Sequence, residues 1–427
     1  MAIRPSARTD VNRSAILAHL GAQGPTSRAD LARALNVSPA LMTQLTKDLL
    51  ADGLLAELEH SPSQGGRPAR MLGLVATAGR AIGVKIAPDH VAFVEVGIAG
   101  GVLRSASEPF DAAASTMLSD VTELLRRFIA GGGKTPLLGI GVGVPGAVDR
   151  QGSGLVDSAQ LGWNQVPVGA TLRRELDLPV LVENNVNALA MAERLYGLGR
   201  QYEDFLVLTI GTGIGAGIVV DGVVLRGVSG GAGEIGHIPI DADGPICTCG
   251  NRGCLEAIIG QAGLERTARE RGIIGAHGTI DALRSAADAG DEAAAAVFSE
   301  AGHLLGRVLA GLVHTLDPEI VIVLGEGTAS WNHWSFGFEP ALRSSLISSR
   351  RGVAVAVETW QDDSWAQGAA SLVLATPFDS DDVAGDQGRL VRERLVEQAS
   401  PQQVAPGQVT AEQAAPQQVA LQQGEPQ

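Results

Sequence analysis

Gly233-Glu234-Ile235-Gly236-His237, followed ten residues on by Cys247-Thr248-Cys249-Gly250-Asn251-Arg252-Gly253-Cys254-Leu255-Glu256, puts one imidazole and three thiols into a single loop. These are the only cysteines among the 427 residues. So tight a grouping is unlike a disulfide framework, and four nitrogen and sulfur donors suit a tetrahedral zinc ion. With His237, Cys247, Cys249 and Cys254 filling all four positions, no place is left for an activated water. One Zn2+ per chain is therefore expected in a structural role, holding a loop (237–254) that lacks a core of its own. Gly250 and Gly253 supply the turns that such a knuckle needs. The plainer alternative is three buried or redox-active thiols beside an incidental histidine.

Outward from this loop, short β-rich runs at 137–144, 180–182, 205–209, 217–220 and 320–324 end in glycine-rich turns. They alternate with stretches rich in Ala, Leu and Glu, the pattern of an α/β protein. The length exceeds what one core organises, so two or three domains are expected. Composition marks three zones: 1–75, 76–376, and a tail at 377–427 rich in Gln, Pro and Ala, read as disordered because it has too little apolar content to offset ordering entropy. A formal net charge of -15 excludes a protein that coats nucleic acid over its whole surface, so any DNA contact must be local. No run approaches the roughly 18 apolar residues of a membrane span, which makes a membrane partner unexpected and the cytoplasm the default compartment.

In the first zone, residues 13–20, 27–35 and 38–51 read as three helices. Ser27 with Asp30 opens the second, and Ser38-Pro39 opens the third. Only Asn36-Val37 separates the last two, the tight turn of a helix-turn-helix whose second helix fits a major groove. Leu41, Leu45 and Leu49 should pack inward, leaving Ala40, Thr43, Gln44 and Lys47 on an opposite face free of carboxylates. After Asp52-Gly53 a hairpin with the tip Gly65-Gly66-Arg67-Pro68 reads as a wing. The expected DNA-contacting set is Ser38, Ala40, Thr43, Gln44 and Lys47, with Arg67 and Arg70 from the wing. A small interaction domain is the plainer alternative for this zone.

Gly233 to His237 followed by Cys-x-Cys-Gly-x-x-Gly-Cys-Leu-Glu resembles the signature of the ROK family of repressors and kinases. Gly141-Val-Gly-Val-Pro-Gly-Ala-Val-Asp149, Gly162-Trp163-Asn164, Val182-Glu183-Asn184-Asn185-Val186-Asn187-Ala188, Thr209-Ile-Gly211-Thr212-Gly213-Ile-Gly215 and the run 318–327 follow in the family's order. The resemblance implies an actin-like ATPase fold of two α/β lobes with a sugar cleft between them, preceded here by a winged helix-turn-helix that marks the repressor branch. It also implies that Asn164, Asn184, Asn185, Glu234, His237 and Glu256 hold sugar hydroxyls, a polyol needing such a ring of donors and acceptors.

The resemblance further implies that kinases of the family carry Asp at the position of Asn185, where it deprotonates the attacking hydroxyl. A carboxamide can hold a hydroxyl but is not basic near neutral pH. The stretch Ala81-Ile-Gly-Val-Lys-Ile-Ala-Pro-Asp89 lacks the acid and the paired glycines of a kinase phosphate loop, and Gly325-Glu326-Gly327 places a carboxylate in a second glycine run. Gly211, Thr212 and Gly213 remain as a vestigial phosphate loop. The expectation is a sugar-responsive, DNA-binding repressor of carbohydrate-metabolism genes that is not an enzyme. It would be a homodimer or homotetramer on operator DNA, answering to a sugar or sugar phosphate. The alternatives are an ATP-dependent sugar kinase, with Glu183 or a water replacing the missing base, and an interaction scaffold that binds neither sugar nor operator.

Overall fold

The computed structural model describes residues 12–13, 15–17, 19–20, 24–58, 70–75, 78–98, 100–358, 363–376 and 384–399. Described residues between 12 and 20 are helical, and the helices Arg28–Ala34 and Pro39–Ala51 follow. The Ser27 hydroxyl accepts from the Asp30 amide at 3.2 Å, and the Ser38 hydroxyl caps the next helix ahead of Pro39. The turn places Asn36 at φ 49° and buries Val37. A three-stranded sheet in the order Thr26–Ser27, Met71–Leu74, Leu55–Leu58 completes a winged helix-turn-helix.

One inward position differs from the expected spacing. Met42, Leu45 and Leu49 are fully buried, whereas Leu41 is half-buried, because the helical repeat of 3.6 brings i+3 and i+4 neighbours to the core together.

Two larger sheets share one topology. In the first lobe the order is Val180–Asn184, Leu137–Val144, Arg80–Ile86, His90–Gly97, Val102–Pro109; the first two pairings are parallel and the others antiparallel. In the second the order is Ala354–Val357, Ile320–Leu324, Phe205–Ile210, Ile214–Val220, Val223–Val224, again two parallel pairings and then two antiparallel. Central strands such as Ile320–Leu324 are apolar throughout because both faces are covered. A small sheet of Ala147–Val148, Leu155–Ser158 and Trp163–Pro167 extends the first lobe.

The helix Ser364–Ala375 crosses back from the second lobe and lies directly on the first-lobe sheet. A Cβ at Gly83 would stand 1.8 Å from the Ala366 carbonyl oxygen, and one at Gly141 equally close to that of Ala369, so glycine is required at both. The longest helix among the described residues, Glu292–Leu316, is long and apolar enough to cross a membrane by length and composition alone. Here it packs along Trp331–Ser345, with Gly302 and Gly306 against the backbone of that helix.

The segment read as a disordered tail contains a helix, Gly385–Ala399. Its Val391 and Leu395, four residues apart, are buried; the Gln387 amide oxygen accepts from the Val180 amide at 3.3 Å, and Arg394 donates to the Leu137 carbonyl. The flanking Gln/Pro composition masks this short amphipathic stretch. The rest of the tail, and Arg67 of the wing, lie outside the described residues.

The helix Asn185–Leu195 buries Glu193, which hydrogen-bonds Glu358 at the end of the second-lobe sheet and accepts from the Leu198 amide at 3.0 Å. Burial, reinforced by the Glu358 charge, pushes the Glu193 carboxyl up to about 8. A carboxyl that holds its proton more tightly when folded contributes stability that is complete below its unfolded value of 4.5 and is lost as pH rises through about 8. Glu193→Gln keeps the hydrogen bonds without the titration. Its melting temperature should fall less than that of the unaltered protein between about pH 5 and 8, and equal slopes would show that Glu193 does not titrate there.

Candidate effector site and metal centre

The donor atoms of His237, Cys247, Cys249 and Cys254 all lie within 4.8 Å of one another. Cys249 Sγ and Cys254 Sγ are 3.7 Å apart, and Cys247 Sγ is 3.5 Å from His237 Nδ1. Thiolates about 2.3 Å from a tetrahedral ion stand about 3.8 Å from each other, so this spacing fits a four-coordinate site. Burial and the two neighbouring thiols push Cys254 up to about 12, so three thiolates can share this space only with a cation among them. Backbone bonds close the loop: Ile240 N to Gly253 O at 2.8 Å, Cys247 N to Asn251 O at 2.7 Å and Leu255 N to Ile238 O at 2.9 Å. Gly253 sits at φ 65°, where a Cβ would strike the Asp241 carbonyl.

With Nδ1 turned to the thiols, His237 presents Nε2 to Glu234, 3.6 Å away. Burial raises the Glu234 carboxyl; His237 pulls it down and Glu256 pushes it up again. Glu256, in the helix Leu255–Ile259 that starts at the last thiol, accepts from the Ile214 amide at 3.0 Å and so ties the loop to the Gly211-Thr212-Gly213 turn. The structure thus brings Glu234, His237 and Glu256 together.

In the first lobe, Asn184 ends a strand and caps the helix Asn185–Leu195. Its Oδ1 accepts from Val186 N at 2.8 Å and Asn187 N at 3.2 Å, and its Nδ2 donates to the Gly146 carbonyl. That side chain is largely committed to the backbone. Asn185 stands in the first turn with no hydrogen bond from its amide to another described residue. Asn164 is exposed on the strand Trp163–Pro167 and is likewise unbonded.

In the N-terminal domain Ser38, Ala40, Thr43, Gln44 and Lys47 are all exposed on one helix. The face is not free of carboxylates: Gln44 Nε2 donates to Asp48 at 2.9 Å. Arg70 pairs with Glu57, which Arg28 also holds at 2.8 Å.

The family model described as the ROK family matches residues 81–376. The chain belongs to the ROK family. It is 28% identical over 316 residues to a xylose repressor of Bacillus spizizenii, covering 73% of this chain and 81% of that one. It is 37% identical over 206 residues to a glucokinase of Halalkalibacterium halodurans, covering 45% of this chain and 62% of that one. The crystal structure of a ROK family transcriptional regulator, a homologue of the Escherichia coli MLC protein, matches with a TM-score of 0.70 and 25% identity over 92% of this chain and 100% of that one.

Within this ROK domain Glu183 has a role that its sequence context does not signal. Glu183, side chain 1% exposed, accepts from Asn184 N at 2.8 Å, Gln151 Nε2 at 3.0 Å and both Arg226 Nε and Nη2. Arg226 comes from the second lobe and also donates to the Val148 carbonyl at 2.9 Å in the first. A carboxylate so fully answered has little capacity left to take a proton.

Removing one partner of a buried pair leaves an uncompensated charge, at a cost of about 3–5 kcal/mol. Arg226→Ala should therefore lower the denaturation midpoint strongly, and adding Glu183→Gln to it should recover part of the loss. Additive losses in that double-mutant cycle would show that the two side chains do not interact.

Proposed function

We propose that this chain is a sugar-responsive repressor of carbohydrate-metabolism genes that binds operator DNA and has lost sugar kinase activity. The observation that carries this reading is an outward helix-turn-helix face joined to a ROK domain whose base position holds Asn185. Ser38, Ala40, Thr43, Gln44 and Lys47 would meet the major groove, with Arg67 and Arg70 in the wing reaching the flanking backbone. A homodimer or homotetramer in the cytoplasm would match a palindromic operator.

The metal in this reading is zinc, held by His237, Cys247, Cys249 and Cys254. It supplies no chemistry beyond fixing the loop. His237 is thereby turned with Nε2 toward the cleft, and the helix carrying Glu256 is anchored at its first residue, so the chain's own side chains receive the effector. Glu234, His237 and Glu256 would take sugar hydroxyls from one side, and Asn185 and Asn164 from the other. Asn184 serves mainly by placing Asn185.

Zinc-loaded protein should show a specific rise in melting temperature with one member of a panel of free and phosphorylated sugars, xylose and glucose included. Chelation should lower the melting temperature and abolish that response. A panel without a hit on protein of confirmed zinc content would sink the sensor reading, and ATP consumed in the presence of a sugar would restore the kinase.

On DNA, Gln44→Ala should narrow the gap between operator and unrelated sequence, each good base contact being worth about 1–3 kcal/mol. Lys47→Ala should weaken binding to all sequences and reduce the salt slope by about one. Unchanged gel shifts in both variants would overturn the assignment of the face.

A further inference from the structure

We propose that the Glu326 carboxylate, set against the glycine turn at the end of the second-lobe sheet, stands in the place of an anionic ligand, where with Lys85 it shuts phosphate-bearing ligands out of the cleft. This rests on the reading that phosphoryl transfer has been lost, and it names the residue that closes the nucleotide side.

The parallel strands Phe205–Ile210 and Ile320–Leu324 end side by side, and both run directly into glycine turns, Gly211-Thr212-Gly213 and Gly325-Glu326-Gly327. Ligands of such sheets bind beyond the carboxyl ends of the strands, and glycine turns with outward amides cradle anions there. Here the Gly211 amide is spent on the Gly213 carbonyl at 3.1 Å, and the Glu326 side chain lies against the turn. A Cβ built on Gly211 would be 2.3 Å from Glu326 Oε2, so the carboxylate rests against the Gly211 backbone itself.

The other oxygen, Oε1, accepts from Trp365 Nε1 at 2.8 Å and stands 3.6 Å from Lys85 Nζ. The Lys85 ammonium lies 5.3 Å above the Trp365 ring. Three segments meet on one carboxylate: the first-lobe strand Arg80–Ile86, the second-lobe turn, and the helix Ser364–Ala375. A phosphate entering this turn would meet like charge and would find its cation already engaged.

Glu326 is 41% exposed on its side chain, and an ion pair so open to water adds little to stability. The contact therefore matters through the space and charge it occupies, and its removal should leave the fold intact.

The test is calorimetric titration of the full chain with inorganic tripolyphosphate and with a non-hydrolysable ATP analogue, each with magnesium. It compares the unaltered protein, Glu326→Gly, and Glu326→Gly combined with Lys85→Met. Glu326→Gly should bind both ligands at least tenfold more tightly than the unaltered protein, and the Lys85→Met change should cancel the gain. Glu326→Ala serves as a second variant should glycine loosen the turn. Equal affinity in the unaltered protein and in both Glu326 variants overturns the proposal, as does a gain that survives loss of Lys85. A parallel assay of sugar phosphorylation separates the two readings: turnover by the unaltered protein defeats the non-kinase reading, whereas absence of any gain in the variants defeats only the internal-ligand proposal.

Discussion

A carboxylate with almost no exposure to water cannot stand alone, and Glu183 at the root of the cleft is answered chiefly by a guanidinium from the opposite lobe. Much of the site geometry depends on that pair. Glu183 also accepts from the backbone amide of Asn184, which caps the helix that begins with Asn185. Arg226 begins the run that returns through Gly233 to Glu234 and the metal loop. One ion pair thus registers the first-lobe strand end against the second-lobe loop, whose far end carries the cluster of His237, Cys247, Cys249 and Cys254.

The two lobes repeat one plan, and the repetition gives meaning to their differences. In each sheet the first antiparallel hairpin turns at the cleft. In the second lobe this turn is Gly211-Thr212-Gly213; in the first it passes through Pro88 and Asp89, and Asp89 is paired with the His90 ring at 2.8 Å. The second-lobe turn has the Glu326 carboxylate against Gly211, and the first-lobe turn holds a proline and a paired acid, so each is occupied by an acidic side chain of the protein itself. The helix Asn185–Leu195 leads at its far end to Tyr196 and Arg200. Tyr196 packs against the core cluster shared with the N-terminal domain, and the Arg200 charge lowers the His19 imidazole further below its ordinary range after burial has done most of it.

What the sequence made legible was local. Ligand spacing gave His237, Cys247, Cys249 and Cys254 because all four lie in one loop, and Ser27 and Ser38 announced their helices because capping is a matter of three residues. The strands at 137–144, 180–182, 205–209, 217–220 and 320–324 could be read because they are apolar runs bounded by glycine, whereas Arg80–Ile86, His90–Gly97, Val102–Pro109 and Ala354–Val357 were not. The partners of Glu183 could not be read, since Gln151 and Arg226 lie 32 and 43 residues away and carry no periodic signal. Asn184 resembles a sugar ligand and most of its amide is engaged with the backbone, and Arg70 resembles a DNA contact and also pairs with Glu57; such partners depend on which neighbour the fold supplies. The helix Gly385–Ala399 escaped notice because its two buried positions sit in a polar context.

The contact of Gly83 and Gly141 with the backbone of the helix Ser364–Ala375 bears on how the molecule can move. Where a carbonyl stands in the place of a missing Cβ, sliding the helix along the sheet would drive peptide groups into the strand within a fraction of an ångström. The seam has no soft direction along its own axis. Any relative movement of the lobes would therefore carry this helix and the first-lobe sheet as one body, with rotation about the connections as the easier mode.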